Sequence, residues 1–267
     1  MKGLSLIPKF FWLPLMMAIY LCAPVSLARD LVKTGYARDP QTGRLLYVES
    51  HYVREEGAVG ENRLVLYRCG LNAPAFARKE VTYNALRQAP EFVLTDERSG
   101  YSEGVRRVGS GLRAFVQENA TTPKRESSLK LRPELVIDAG FDEFVRSRWA
   151  ELEGGQALAF PFLVPSRLDT FGFKLRKHRD AVIDGQQVSV FRLNLSGVLG
   201  WFTSHIDISY RKADRVLMRY EGVSNIRGED GRNLLVRIDF PANERRSMAA
   251  VDLTRARIEP LTSRCAG

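Results

Sequence analysis

Residues 92–108 read Phe92-Val-Leu-Thr-Asp-Glu97, then Arg98-Ser-Gly100, then Tyr101-Ser-Glu-Gly-Val-Arg-Arg-Val108. Two runs carrying β-branched and aromatic residues, joined by three residues that end in Gly, are a hairpin signal. Working outward, the same signal recurs. Residues 31–54 read as a hairpin around Asp39-Pro40-Gln41-Thr42-Gly43, where Pro fixes φ and Gly accepts a positive one. Asn62–Cys69 and Phe76–Tyr83 flank a Gly-Leu-Asn-Ala-Pro connection. Leu112–Gln117 follows the turn Gly109-Ser110-Gly111 and completes a meander. Several of these strands carry charge on alternate positions, as expected where one sheet face meets water.

Residues 119–133 are polar, hold Pro123 and Pro133, and read as a loop or crossover. One helix is expected after them, over residues 138–153. Asp138 can cap its start, Phe141, Phe144, Val145, Trp149 and Leu152 recur at near-helical spacing, and Gly154 with Gly155 stops it. Asp142 and Glu143 are assigned to its exposed side, near its positive end. Strands then resume at Gln156–Val164, Asp169–Lys177, Gln187–Leu195, Ser204–Arg211, Arg215–Gly222 and Leu234–Phe240, with tight turns at Asp184-Gly185 and Asp230-Gly231. The expected fold is mainly β (α+β): a curved antiparallel sheet or half-barrel of about a dozen strands, with one principal amphipathic helix packed on its concave face. No repeat or long linker divides residues 29–267, which read as a single β-rich domain.

The 267 residues carry a net charge of +9, 45% hydrophobic and 27% charged residues, so disorder and a collagen-like fibre are excluded. Lys2 and Lys9 precede an uncharged run from Phe10 to Ala28, closed by Arg29 and Asp30. A basic start, an apolar middle and small residues at Ser26 and Ala28 form a secretory signal peptide over residues 1–28, with cleavage expected after Ala28. An uncleaved anchor is the alternative, since the run is long enough to span roughly 30 Å of bilayer; Pro14 and Pro24 weaken such a helix. Export to the periplasm leaves 239 residues (267 − 28) with a charge of about +7 (38 basic against 31 acidic). Two cysteines remain, Cys69 and Cys265, in a compartment that permits oxidation. One disulfide between them would close a loop of 196 residues (265 − 69), for which chain entropy predicts about 4–5 kcal/mol.

No catalytic constellation emerges, and the chain reads as a non-enzyme without a cofactor. His51, His178 and His205 lie on different strands without metal-ligand spacing and read as surface or edge residues. There is no nucleophile elbow, and the glycine-rich turn at residues 109–111 lacks the Lys and helix of a phosphate loop. Scattered basic residues with no basic helix argue against nucleic acid; contact with anionic lipid head groups is a better use of the charge, and a merely solvated surface is the plainer reading still. Apolar residues concentrate in the second half: Phe144, Trp149, Phe160, Phe162, Phe173, Leu199, Trp201 and Phe202. Most read as core, and some as the lining of an apolar groove between a curved sheet and the helix, a receptor for an acyl chain.

Gly140-Phe-Asp-Glu-Phe-Val, Phe162-Leu-Val-Pro-Ser-Arg-Leu168, Ser196-Gly-Val-Leu-Gly-Trp201, Tyr220-Glu-Gly-Val-Ser-Asn-Ile226 and Val236-Arg-Ile-Asp-Phe240 resemble a family of uncharacterised exported bacterial proteins. The strand order is also similar, more distantly, to the half-barrel of the periplasmic lipoprotein carriers LolA and LolB. That resemblance implies a concave sheet closed by helices, with lipid or lipoprotein acyl chains as ligands. The expected function is a periplasmic protein that binds a hydrophobic or amphiphilic ligand under residues 138–153 and 196–203, with Arg167, Arg176 and Arg219 contacting a head group and peripheral membrane contact possible. The alternative is a non-enzymatic structural or assembly factor that holds an envelope protein.

Overall fold

The computed structural model of the chain describes residues 30–56, 60–196 and 205–265. β5 (Glu91–Asp96) and β6 (Tyr101–Val108) form the expected hairpin, paired from Phe92 opposite Val105 to Asp96 opposite Tyr101. Burial alternates along β5, with Phe92, Leu94 and Asp96 turned inward. Gly100 turns the chain at φ +70°, a left-handed conformation that costs little without a Cβ.

Before this hairpin lie β1 (Leu31–Arg38), β2 (Leu45–Glu56), β3 (Gly60–Arg68) and β4 (Ala75–Thr82); after it come β7 (Gly111–Gln117) and β8 (Arg125–Lys130). Each pairs antiparallel with the next, giving one meander of eight strands. β8 falls within the stretch read as a loop. Its residues alternate between half-buried and exposed, so it closes the meander as an edge strand despite its polar composition.

The short β9 (Val136–Ile137) leads into two helical segments, α1 (Gly140–Ser147) and α2 (Trp149–Glu153), where one helix is expected. The break is at Arg148, whose φ of −106° and ψ of 18° lie outside the helical region. Asp138 does not cap α1. Its φ is +39° and its carboxylate reaches Lys79 instead, while Ala139 occupies the cap position without a side-chain hydrogen bond. Gly155, at φ +86°, terminates α2 as expected. Gly140 lies so close to the β4–β5 connection that a Cβ there would meet the Gln88 carbonyl oxygen at 2.2 Å, so the start of α1 is held against that connection.

β10 (Leu158–Val164), β11 (Asp169–Ile183), β12 (Gln186–Leu195), β13 (Ile206–Arg211), β14 (Leu217–Arg227) and β15 (Asn233–Asp239) form a second antiparallel meander, with β9 parallel to β10 at its outer edge. Asp184 and Gly185 both take positive φ, the requirement of the tight turn between β11 and β12. β15 returns to pair with β1, and the two-residue β16 (Arg246–Ser247) pairs with the other end of β1. Sixteen strands therefore share one sheet, mostly antiparallel and not closed, in the order β8 to β1 followed by β15 to β9.

The sheet curls until its ends approach. The turn Pro165–Arg167 lies against β6 and β7, and Ile137 and Leu163 join one core cluster with Leu112, Ala114 and Val116. On the concave side Phe144 and Val145 of α1 pack with Phe160, Leu175, Phe191 and Ile208. A third helix, α3 (Ala250–Ile258), is absent from the sequence reading. Leu253 and Ala256 pack on Leu64 and Leu66 of β3, whose inward neighbours are Val65 and Tyr67, so α3 covers the convex face.

Candidate functional site

Between the walls of the curled sheet, beside the start of α1, lies a cavity of about 450 Å³. One wall is apolar: Phe162 of β10, Phe173 of β11, Leu193 of β12, Ile206 and Ile208 of β13. The opposite wall, from β2, β3, β4 and β6, presents Glu49, His51, Arg63, Lys79 and Glu103. Asp138 and Asp142 reach it from the entry to α1.

Register explains how a polar wall forms inside a sheet. Lys33, His51, Val65, Lys79, Leu94 and Glu103 are successive partners across β1 to β6, and so lie in one row on one face. Val65 and Leu94 are core residues, so this row faces inward and carries its charged members with it. Alternating charge in β2–β4 therefore marks the concave interior, and the expectation that it faces water fails there. His51 is likewise buried, where a surface or edge position is expected.

The charges are partly paired. Asp142 accepts a hydrogen bond from the Tyr210 hydroxyl at 2.8 Å and lies 3.4 Å from Arg63 Nη1. Arg63, Arg146, Lys33 and the Tyr210 hydroxyl together hold its carboxyl well below the usual range, against a burial penalty that acts the other way. This overturns its placement on an exposed helix face. Lys79 donates to Asp138 at 3.1 Å, which keeps the ammonium charged despite burial. His51 Nε2 lies 2.7 Å from Glu49 Oε2. Burial, then Lys33, Arg63 and Lys79, push the imidazole well below its ordinary value, so His51 is neutral and shares one hydrogen bond with Glu49 through Nε2. Burial raises Glu49 and Glu103 to about 7. His51 Nδ1 and Asp138 Oδ2 are buried without a hydrogen-bond partner.

The sheet is similar to several solved structures. A beta-barrel-like protein of domain of unknown function DUF1849 from Brucella abortus matches with a TM-score of 0.46 at 9% identity, over 80% of this chain and 99% of that one. A protein domain from Vibrio parahaemolyticus assigned to outer membrane lipoprotein sorting matches at 0.31 and 9% identity, over 85% and 89%. MucB matches at 0.31 and 11% identity, over 83% of this chain and 54% of its own. The likeness is one of fold. No family model and no curated protein matches the sequence.

Of the residues singled out from sequence, Phe162 and Phe173 line the cavity, their rings 5.7 Å apart. The Phe144 and Phe160 rings lie 4.4 Å apart, tilted by 44°, in the core between α1 and the sheet, and Trp149 sits edge-on to Phe191 and Tyr210. Arg167 and Arg176 are exposed. Arg219 binds Asp239, and both lie in one row with Tyr36, on the face opposite the cavity-lining Tyr220 and Ile238. Leu199, Trp201 and Phe202 fall outside the described residues. Cys69 and Cys265 form the expected disulfide, with Cα atoms 5.6 Å apart.

Sequence reasoning missed the polar wall. Its signal was parity: Glu49 and His51 share their side of β2 with the core residue Tyr47, because residues two apart on a strand point to the same face.

Proposed function

We propose that this chain is an exported envelope protein that holds an amphiphile, a lipid or an acyl chain, inside the curled sheet. The observation that carries this reading is the division of one cavity into an apolar wall and an ionisable wall. An acyl tail fits the side of Phe162, Phe173, Leu193 and Ile208, with the polar group toward Glu49, His51 and Lys79. Its volume falls within the range of about 300–1,000 Å³ found for small-molecule sites. The basic, then apolar amino terminus and a disulfide suited to an oxidising compartment support export. The site is read as binding without catalysis.

Native mass spectrometry and solvent extraction of protein purified from cells test this. The expected result is a retained lipid or fatty acid, with affinity for added fatty acid lowered at least about tenfold by Phe173→Asp, since charge on an apolar wall is desolvated without a partner. Lipid-free protein that also fails to bind fatty acids and phospholipids overturns the reading. A second reading, an assembly factor holding a protein partner, draws on β8, whose outer edge pairs with no strand among the described residues. Cross-linking in intact cells that traps one partner on lipid-free protein favours it.

A further inference from the structure

Accounting for the charges on the cavity wall leaves a remainder of one sign. Arg63 is matched by Asp142 and Lys79 by Asp138. Glu49 and Glu103 are left over, at 7% and 5% exposure, and among the described residues neither makes an ion pair with Lys or Arg. Glu49 touches the neutral His51 ring and the Tyr47 hydroxyl, neither of which carries a charge, and the cations that act on it, Lys79 and Lys33, do so from beyond ion-pair distance. Lys33, the remaining cation of the row, stands over the Phe240 ring at 5.0 Å and is not on the cavity wall.

Asp138 Oδ2, a carboxylate acceptor buried on the same wall without a hydrogen-bond partner, wants a donor. Burial chiefly, and the Asp138 charge with it, raise both leftover carboxyls against the pull of Lys79, a condition an incoming positive charge would relieve. Tyr47, Tyr67 and Phe92 line the same cavity, and aromatic rings are favourable neighbours for a cation.

We propose that the polar end of this cavity takes a cationic head group, an ammonium carried on an apolar tail, on the wall that carries Glu49 and Glu103. The inference rests on reading the cavity as an amphiphile site and adds the charge of what it binds. It also runs against the charge of the whole chain: at +9 the outer surface attracts anions, so a preference for cations would have to arise in the interior.

Calorimetric titration of the delipidated full-length protein at neutral pH with decylammonium, decanoate and 1-decanol, each below its aggregation limit, tests the inference with one tail and three heads. The expected result is that decylammonium binds at least about tenfold more tightly than decanoate, a difference of about 1.4 kcal/mol. Glu49→Gln and Glu103→Gln, singly and together, should then bring that ratio toward one. Decanoate binding equal to or tighter than decylammonium overturns the head-group assignment and leaves the cavity reading standing, as does a double variant that keeps the preference. Failure of all three probes to bind overturns the cavity reading itself. If the variants do not fold, the comparison of probes on the unaltered protein still decides.

Discussion

Asp142 joins strands that lie on either side of the central β1–β15 pair: it faces Arg63 on β3 and accepts from Tyr210 on β13. Only the concave side allows one helix to reach both, so this carboxylate pins α1 inside the curled sheet. Removing it leaves the Arg63 guanidinium buried beside a lost partner, and breaking such a pair costs about 3–5 kcal/mol. Asp142→Ala is therefore expected to shift the urea midpoint down by a corresponding amount, and an unchanged midpoint would show that the pair contributes nothing. The burial of Asp142 was partly legible. At about 100° per residue it lies only about 60° from Val145 around the helix, on the flank of the apolar stripe and not opposite it. Its partners were not legible, because Arg63 and Tyr210 are 79 and 68 residues away.

At the scale of elements, strands announced themselves through turn chemistry and alternation, and helices less reliably. Among its described residues α3 buries only Leu253 and Ala256 on the sheet, too few apolar positions to stand out as a period. Its place on the convex face comes from tethers beyond its own sequence. Glu259 accepts two hydrogen bonds from the Arg68 guanidinium, at 2.5 and 2.7 Å, the Thr262 amide donates to the Ala75 carbonyl, and Cys265 is bonded to Cys69. The disulfide closes a loop of 196 residues and restricts the unfolded chain accordingly. Cys265→Ser should lower the stability measured in guanidinium by up to about 4–5 kcal/mol. The reduced parent protein should then unfold with the variant, and equal stability of oxidised and reduced protein would contradict a structural role for the bond.

Over the whole molecule, the concave polar wall makes stability depend on pH in an unusual direction. Glu49 and Glu103 have folded-state values of about 7 against an ordinary 4.5, so the folded chain holds protons that the unfolded chain has released. Stability contributed by their protonated forms is fully present below 4.5 and is lost as pH rises to about 7. Asp142 acts oppositely: its depressed carboxyl stabilises above its ordinary 3.8 and that stability is lost in acid. His51, held well below its ordinary 6.5, works against the two glutamates by adding stability as pH rises toward 6.5, and Lys33, lowered to about 8 from 10.5, restores stability only as pH climbs between those values. Denaturant titrations should therefore find the ligand-free protein more stable near pH 5 than near pH 7.5. Glu49→Gln with Glu103→Gln should flatten that slope. A flat profile in the parent protein would show that the two carboxyls are solvated.

The sequence by itself determined that this is a mainly β chain with its turns at Asp39–Gly43, Gly100, Gly109 and Asp184-Gly185, because turn chemistry and period-two alternation are local properties. It also identified the pairing of Cys69 with Cys265, since only two cysteines follow the expected cleavage point. Tertiary structure alone decided which face of each strand became the interior. Alternation divides a strand into two faces without naming the buried one, and only the curl of sixteen strands turned His51, Lys79 and Glu103 inward together.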